Sequence, residues 1–230
     1  MSDPAPKDTP HYTGHRERLR ERFLKGPDAL PDYELLELLL FMAIPRRDVK
    51  PIAKRLEARF GSLNGALNAS LLDLQGVEGI SETTAIALKT VQASAYRLLK
   101  QDVMDKPVLN NWQRLTDYLA ATMAHEKREH FRILFLNKKN MLMADEIQGS
   151  GTVDHTPAYP REIMKRALEL GATALILVHN HPSGESAPSR ADIEMTRAII
   201  AAADPFDIVI HDHLIVSKGG VGSFKALGLM

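Results

Sequence analysis

Residues 173–192 read TALILVHNHPSGESAPSRAD, and this stretch decides the fold of the carboxyl-terminal half of the chain. Its first six residues are aliphatic or β-branched, which predicts a strand covered on both faces, with His179 at its carboxyl end. A loop rich in Pro, Gly and Ser follows as far as Ser189. There, a serine with an aspartate three residues later predicts the start of a helix. A buried strand, a loop and a helix in this order indicate an α/β domain.

The sequence on both sides of this stretch predicts the remaining elements of the domain. The apolar spacing indicates helices near residues 112–124, over 160–171 and from Ser189 to about Ala203, a β-hairpin with strands at 131–136 and 141–147, and a final strand pair at 206–211 and 214–217. We therefore predict that residues 107–230 form an α/β domain.

The amino-terminal half has a different periodicity. From residue 14 to residue 102 the apolar residues recur at helical spacing, and glycines divide the pattern into short pieces. This predicts a small all-α domain over residues 14–102, followed by a linker at 102–107. Residues 1–13 are rich in Pro and Asp and have no apolar periodicity, so we predict a flexible tail.

Composition excludes several classes of protein. The 230-residue chain has a formal net charge of zero, unlike proteins that bind nucleic acid by charge alone. It has no cysteine, which excludes disulfides and thiolate ligands and leaves His, Asp, Glu and water for any metal site. No apolar run reaches the length of a membrane span, and the first residues lack the apolar core of a secretory signal. We expect a cytoplasmic protein with no membrane partner.

A metal site is predicted at the end of the buried strand. Residues i and i+2 of an extended segment point to the same side, so His179 and His181 can present two imidazoles to one ion. If the intervening loop folds back over the strand end, Asp192 in the first turn of the next helix becomes a third ligand. A tetrahedral zinc ion then keeps a fourth position for water, as hydrolysis requires.

Each half of this constellation also has an ordinary structural explanation. Ser189 and Asp192 form a helix-capping pair by themselves, and two histidines in a loop can be satisfied polar residues. The four residues indicate a metal site only because they occur together at fixed spacing.

That spacing, HxHx₇SxxD, resembles the JAMM signature of the MPN metalloprotease superfamily. The sequences YPREIMKRALELGATALILVHN, HNHPSG, GHRERLRERFL and DYELLELLL further resemble the RadC family of bacterial proteins over nearly the whole chain. The resemblance implies a JAMM/MPN domain with a cytidine-deaminase-like mixed sheet, a helical amino-terminal domain, and one Zn²⁺ per chain on His179, His181 and Asp192.

The resemblance also implies two catalytic residues. The superfamily's serine, here Ser189, donates a hydrogen bond to the oxyanion that forms during amide hydrolysis, and a glutamate before a strand handles the proton of the attacking water. Glu129 matches that placement, with Glu126, Glu146 and Glu162 as alternatives. One departure is Asn180, because the deubiquitinating branch has serine between its histidines. A eukaryotic-type isopeptidase role therefore does not follow.

Two further motifs are candidates for binding. Gly76 and Gly79 lie in a segment that resembles the hairpin of a helix-hairpin-helix module, whose backbone amides would contact DNA phosphates. Residues 1–105 hold fifteen Lys and Arg against fifteen Asp and Glu, which favours a packing role instead. His211-Asp212-His213 repeats the HxH spacing, and we interpret it as packing or as support for the metal ligands.

Two functions remain at this point. The first is a zinc metallopeptidase that cleaves a peptide or isopeptide bond of an unidentified peptide or protein substrate. The second is a DNA-associated accessory protein, in repair or recombination, whose metal-binding domain has no peptidase activity. Because a structural zinc normally has four protein ligands and the sequence offers three, the first is favoured.

Overall fold

The computed structural model describes residues 14–104, 106–150 and 158–230, so the predicted tail at 1–13 lies outside the described residues. The chain divides into two compact units, and the division falls between Ser94 and Ala95. Within the described ranges, no helix combines the length and the apolar character needed to cross a bilayer.

In the first unit, every regular element among the described residues is helical, as the periodicity predicts. The elements are α1 (His15–Lys25), α2 (Asp32–Ala43), α3 (Lys50–Phe60), α4 (Leu63–Asn68), α5 (Leu71–Gln75) and the first part of α6 (Glu82–Met104). Leucines and isoleucines of α2, α3 and α5 form one buried cluster that includes Leu36, Leu40, Ile52, Leu56 and Leu74. The unit is therefore held together by an aliphatic core between short helices.

The second unit contains a five-stranded mixed sheet with helices on both faces. Its elements are α7 (Trp112–Met123), β1 (His130–Leu136), β2 (Leu142–Ser150), α8 (Pro160–Leu170), β3 (Ala174–Asn180), α9 (Arg190–Ala203), β4 (Val209–Ser217) and β5 (Gly220–Ser223). The strand order is β2-β1-β3-β4-β5. Strands β3 and β4 are parallel, and the other neighbouring pairs are antiparallel.

Alternation along the strands sends side chains to two separate cores. One core lies under α7 and includes Leu134 and Ile176. The other lies under α8 and α9 and includes Ile133 and Leu177. Because His179 follows Leu177 by two residues, its side chain lies on the α8 and α9 face of the sheet.

The pairing of β3 with β4 contains one irregularity. Leu175 is opposite Ile210, but Ile176 is opposite Asp212, so His211 has no partner in β3. An extra residue of this kind is a β-bulge.

The prediction of a strand pair at 206–211 and 214–217 is wrong. These residues belong mainly to the single strand β4, and the chain reverses later, at Lys218 and Gly219. Asp212 does not form a turn because its buried carboxylate accepts hydrogen bonds from the Ser223 hydroxyl and the Lys225 amide. The antiparallel partner of β4 is β5.

The helical pattern also ends later than predicted. Helix α6 continues past Asp102 to Met104, because Val103 is buried in the core under α7.

Candidate metal centre

Three side chains from the end of β3 and the start of α9 lie together in the second unit. His179 and His181 are two residues apart in extended backbone, and Asp192 occupies the first turn of α9. The helix begins there because the Ser189 hydroxyl accepts from the Asp192 amide and the Asp192 carboxylate accepts from the Ser189 amide. This capping box was predicted, and it also fixes the direction of the carboxylate.

The donor atoms of these three residues face one another. The two histidine Nε2 atoms are 2.8 Å apart. Asp192 Oδ1 lies 3.3 Å from His179 Nε2, and Asp192 Oδ2 lies 3.5 Å from His181 Nε2. Ligands about 2.0–2.1 Å from a tetrahedral ion are roughly 3.3 Å from each other. The spacing therefore fits three ligands of one small cation.

A chain of hydrogen bonds determines which nitrogen of His179 carries its proton. The Thr196 hydroxyl donates its hydrogen to the Asp192 carbonyl, so it must accept from His213 Nδ1 at 2.6 Å. Neutral His213 then has a lone pair on Nε2, which accepts from His179 Nδ1 at 2.8 Å. As a result, neutral His179 presents an unprotonated Nε2 to the site.

The same reasoning applies to His181. Its Nδ1 lies 3.0 Å from the Glu185 carbonyl, which can only accept a hydrogen bond. Neutral His181 therefore also presents an unprotonated Nε2. When both rings are neutral, two nitrogen lone pairs and a carboxylate converge with no hydrogen between them, and a bound cation would satisfy all three groups.

The pKa values of the site residues favour an ionised Asp192 beside a neutral His213. Burial opposes ionisation of Asp192, but the hydrogen bonds that His179 and His181 donate when they are protonated outweigh it and hold the pKa of the carboxyl far below its usual range. The hydrogen bond with Asp192 raises the pKa of His181. Burial, assisted by His179, lowers the pKa of His213 well below its usual value, which keeps that imidazole neutral.

The loop between β3 and α9, which contains Gly184 and Ser186, packs against two glycines of the β4–β5 hairpin. A Cβ atom on Gly222 would lie 2.5 Å from the Ser186 carbonyl oxygen, and one on Gly219 would lie 2.9 Å from the Gly184 carbonyl oxygen. Such distances leave no room for a side chain. The backbone of the loop can approach the hairpin only because both positions are glycine.

Ser189 is exposed at the edge of this site. Its hydroxyl oxygen accepts from the Asp192 amide, a bond that does not use the hydroxyl hydrogen. The hydrogen can therefore be donated to a bound group, as the predicted oxyanion contact requires. The role itself stays a prediction.

Glu129 lies directly before β1 and is partly buried. Its negative charge contributes to the raised pKa of His181, after the larger effect of Asp192. Each of the three alternative glutamates pairs with a nearby base. Glu126 is 3.7 Å from His130, Glu146 is 2.6 Å from Arg166, and Glu162 is 2.9 Å from Arg161.

Comparison with known families agrees with this geometry. Residues 109–229 match the family model described as the RadC-like JAB domain, and residues 11–86 match the UPF0758 N-terminal domain. The chain belongs to the RadC-like JAB family. The five-stranded unit is its JAB domain, and a helical amino-terminal domain precedes it. The JAB domain contains a His179, His181 and Asp192 group that can hold a metal ion.

In the amino-terminal domain, both hairpin glycines lie close to side chains of α3. A Cβ atom on Gly76 would lie 2.9 Å from the Arg59 guanidinium, and one on Gly79 would lie 2.9 Å from Ile52. Gly79 also has a φ of +92°, which favours glycine. These contacts support the packing interpretation, and a DNA contact stays a prediction.

Sequence reasoning did not predict the hydrogen bonds of two residues of the JAB domain that are neighbours of the candidate ligands. Thr196 accepts from His213, and Asn180 bonds to the segment before β1. The local sequence signal for Thr196 is its position one helical turn after Asp192. Asn180 gave only the signal that it stands between the two histidines.

Proposed function

We propose that this protein is a zinc-dependent hydrolase that cleaves a peptide or isopeptide bond. The observation that carries the proposal is the convergence of two unprotonated imidazole nitrogens and one carboxylate, with Glu129 close enough to influence His181. Two nitrogens and one oxygen from protein are a usual set for catalytic zinc. Bound zinc would lower the pKa of a coordinated water to about 7 and polarise the scissile carbonyl.

The protein's own residues would perform the proton transfers. Glu129 takes a proton from the attacking water as the oxygen bonds to the carbonyl carbon. When the carbon–nitrogen bond breaks, Glu129 returns that proton to the leaving amine, so the products are a carboxylic acid, which then loses its own proton to solvent, and an amine. The Ser189 hydroxyl donates to the carbonyl oxygen while that oxygen carries negative charge.

The direct test compares wild type with Glu129→Gln, after both have been loaded with zinc. Each is incubated with a library of linear and lysine-branched peptides, and new amine termini are identified by mass spectrometry. We expect cleavage by wild type and at least a 100-fold lower rate for Glu129→Gln, at unchanged zinc content, consistent with the contribution of about 10²–10⁴ from general acid–base catalysis.

Glu126→Gln is the matched control because Glu126 lies in the same segment and is exposed. Its rate should stay close to that of wild type. Trapping of proteins on zinc-loaded Glu129→Gln would then identify the physiological substrate. A wild-type protein that holds one zinc per chain and cleaves nothing in either assay would contradict the proposal.

A second candidate is a DNA-associated role for the amino-terminal domain. It is favoured by two arginines of α3 at the hairpin of Gly76 and Gly79: Arg55 donates to the Glu78 carbonyl, and Arg59 packs against Gly76. These cations offset the charge of Glu78. A gel shift at low salt with duplex, single-stranded and branched DNA tests this role. Absence of binding at micromolar protein would exclude it.

A further inference from the structure

Asn180, between the two histidines, faces away from them. Alternation along β3 places its side chain on the opposite face from His179 and His181. The side chain is almost fully buried, with 1% of its surface exposed. A buried amide needs hydrogen-bond partners, and those of Asn180 identify what it holds.

Among the described residues, the hydrogen-bond partners of the Asn180 side chain lie in the segment that carries Glu129. Asn180 Oδ1 accepts from the His130 amide at 2.9 Å. Asn180 Nδ2 donates to the Arg128 carbonyl at 3.0 Å and to the Glu126 carbonyl at 3.5 Å. The residues on both sides of Glu129 are therefore attached to this one amide.

These side-chain bonds take the place of backbone pairing between β1 and β3, which does not extend to the segment of Glu129. The pairing of β1 with β3 ends at Phe131 and His179, so Glu129, two residues earlier in the chain, lies beyond the last paired residue of this ladder. The Asn180 side chain continues the connection for two further residues of the segment. Serine at this position would be too short to offer the same combination of an acceptor and a two-hydrogen donor.

We propose that Asn180 is a positioning residue: it holds Glu129 at the metal centre by fixing the backbone on both sides of that residue. The proposal rests on the proposed function in so far as Glu129 is the proton carrier. Asn180 touches neither water nor substrate in this scheme. It couples the segment of the general base to the strand that supplies two ligands.

The first test measures hydrogen exchange by NMR in metal-free protein. In Asn180→Ala, the protection of the His130 amide should fall about fivefold, because a typical hydrogen bond contributes roughly 1 kcal/mol. Asn137→Ala is the matched control. Asn137 Oδ1 accepts from the Lys139 and Met141 amides at the other end of β1. This control should leave the His130 amide unchanged.

The second test locates Glu129 itself. Cobalt(II) is loaded into protein carrying ¹³C-labelled glutamate, and paramagnetic relaxation of the Glu129 side chain reports its distance from the ion. We expect the relaxation to weaken at least twofold in Asn180→Ala and to stay unchanged in Asn137→Ala. Cobalt stoichiometry should remain one per chain in all three proteins.

Asn180→Asp covers the case in which the alanine variant does not fold. It keeps the acceptor for the His130 amide and loses the donor for the Arg128 carbonyl, so His130 protection should persist while relaxation of Glu129 weakens. Loss of cobalt binding in Asn180→Ala, or unchanged Glu129 relaxation in both variants, would overturn the inference. Because neither readout uses substrate, failure of wild type to cleave peptides would contradict the proposed function and leave this test valid.

Discussion

The JAB domain contains two His-x-His motifs on neighbouring parallel strands, and they have different environments. His179-Asn180-His181 ends β3, where both imidazoles face Asp192. His211-Asp212-His213 lies inside β4. There, His213 donates and accepts within a buried relay, while His211 contacts Asn140 Oδ1 at 2.8 Å.

The difference teaches that spacing alone does not make a metal ligand. In the 179–181 motif, the outer nitrogen of each ring is occupied, and the inner nitrogens meet a carboxylate. In the 211–213 motif, both nitrogens of His213 already have partners, so none is left for an ion. His213 of the second motif instead fixes which nitrogen of neutral His179 carries the proton.

The largest expected effect is the loss of zinc affinity on substitution of a ligand, which distinguishes the ligands from the supporting residues. His179→Ala and Asp192→Ala should lower zinc affinity by more than about 100-fold, because loss of an outer partner alone costs 10–100-fold. His211→Ala should retain one zinc per chain. The measurement is metal content after dialysis, checked by competition with a chromophoric chelator. Equal loss in His211→Ala would erase the distinction between the two motifs.

A smaller effect is expected when the relay is cut. His213→Ala removes the acceptor for His179 Nδ1, and zinc affinity should fall by about 10–100-fold without loss of the site. His213→Gln keeps a donor and an acceptor and should lose less. Competition titration with the same chelator measures both variants. Unchanged affinity in His213→Ala would show that the relay does not support His179.

The smallest expected effect is the contribution of His213 to the pH dependence of the stability of metal-free protein. Burial lowers the pKa of His213, whereas the unfolded chain binds this proton at about pH 6.5. Below pH 6.5 the unfolded state gains a proton that the native state does not. The free energy of unfolding therefore falls as the pH is lowered, by up to about 1.4 kcal/mol per pH unit. This loss continues until the native pKa is reached.

Urea unfolding at pH 7.5, 6.5 and 5.5 checks this prediction, with His213→Gln as the reference. Burial also lowers the pKa of His125 and His211, but both proteins contain these residues, so their contributions cancel. Between pH 6.5 and 5.5, wild type should lose about 1 kcal/mol more than the variant. Parallel curves for the two proteins would mean that His213 binds its proton as readily in the native state as in the unfolded chain.

The features that the sequence predicted depend on short-range geometry. Alternation in a strand brings His179 and His181 to one side, and a capping box joins Ser189 to Asp192, so four residues of the site follow from local rules. Helices α7, α8 and α9 have strong amphipathic patterns, which is why they occur where predicted.

The features that the sequence did not predict depend on distant contacts. Asn180 bonds to residues 50 positions away or more, and Thr196 meets His213 across 17 positions. The strand pair was placed wrongly because Asp212 and His213, which suggest a turn by their polarity, are satisfied by partners on β5 and α9. A polar side chain predicts an exposed position only where no distant residue can satisfy its hydrogen bonds.

The bulge at His211 decides which member of the 211–213 motif faces the metal centre. Leu177 is opposite His213 in the present register, and this places the imidazole on the same face as His179. With one residue fewer before it, the strand would present Asp212 there, because a shift by one exchanges the two faces of a strand. A carboxylate next to His179 would accept the same hydrogen bond but add a negative charge beneath the ligand. The unpaired residue thus keeps one negative charge away from the metal centre.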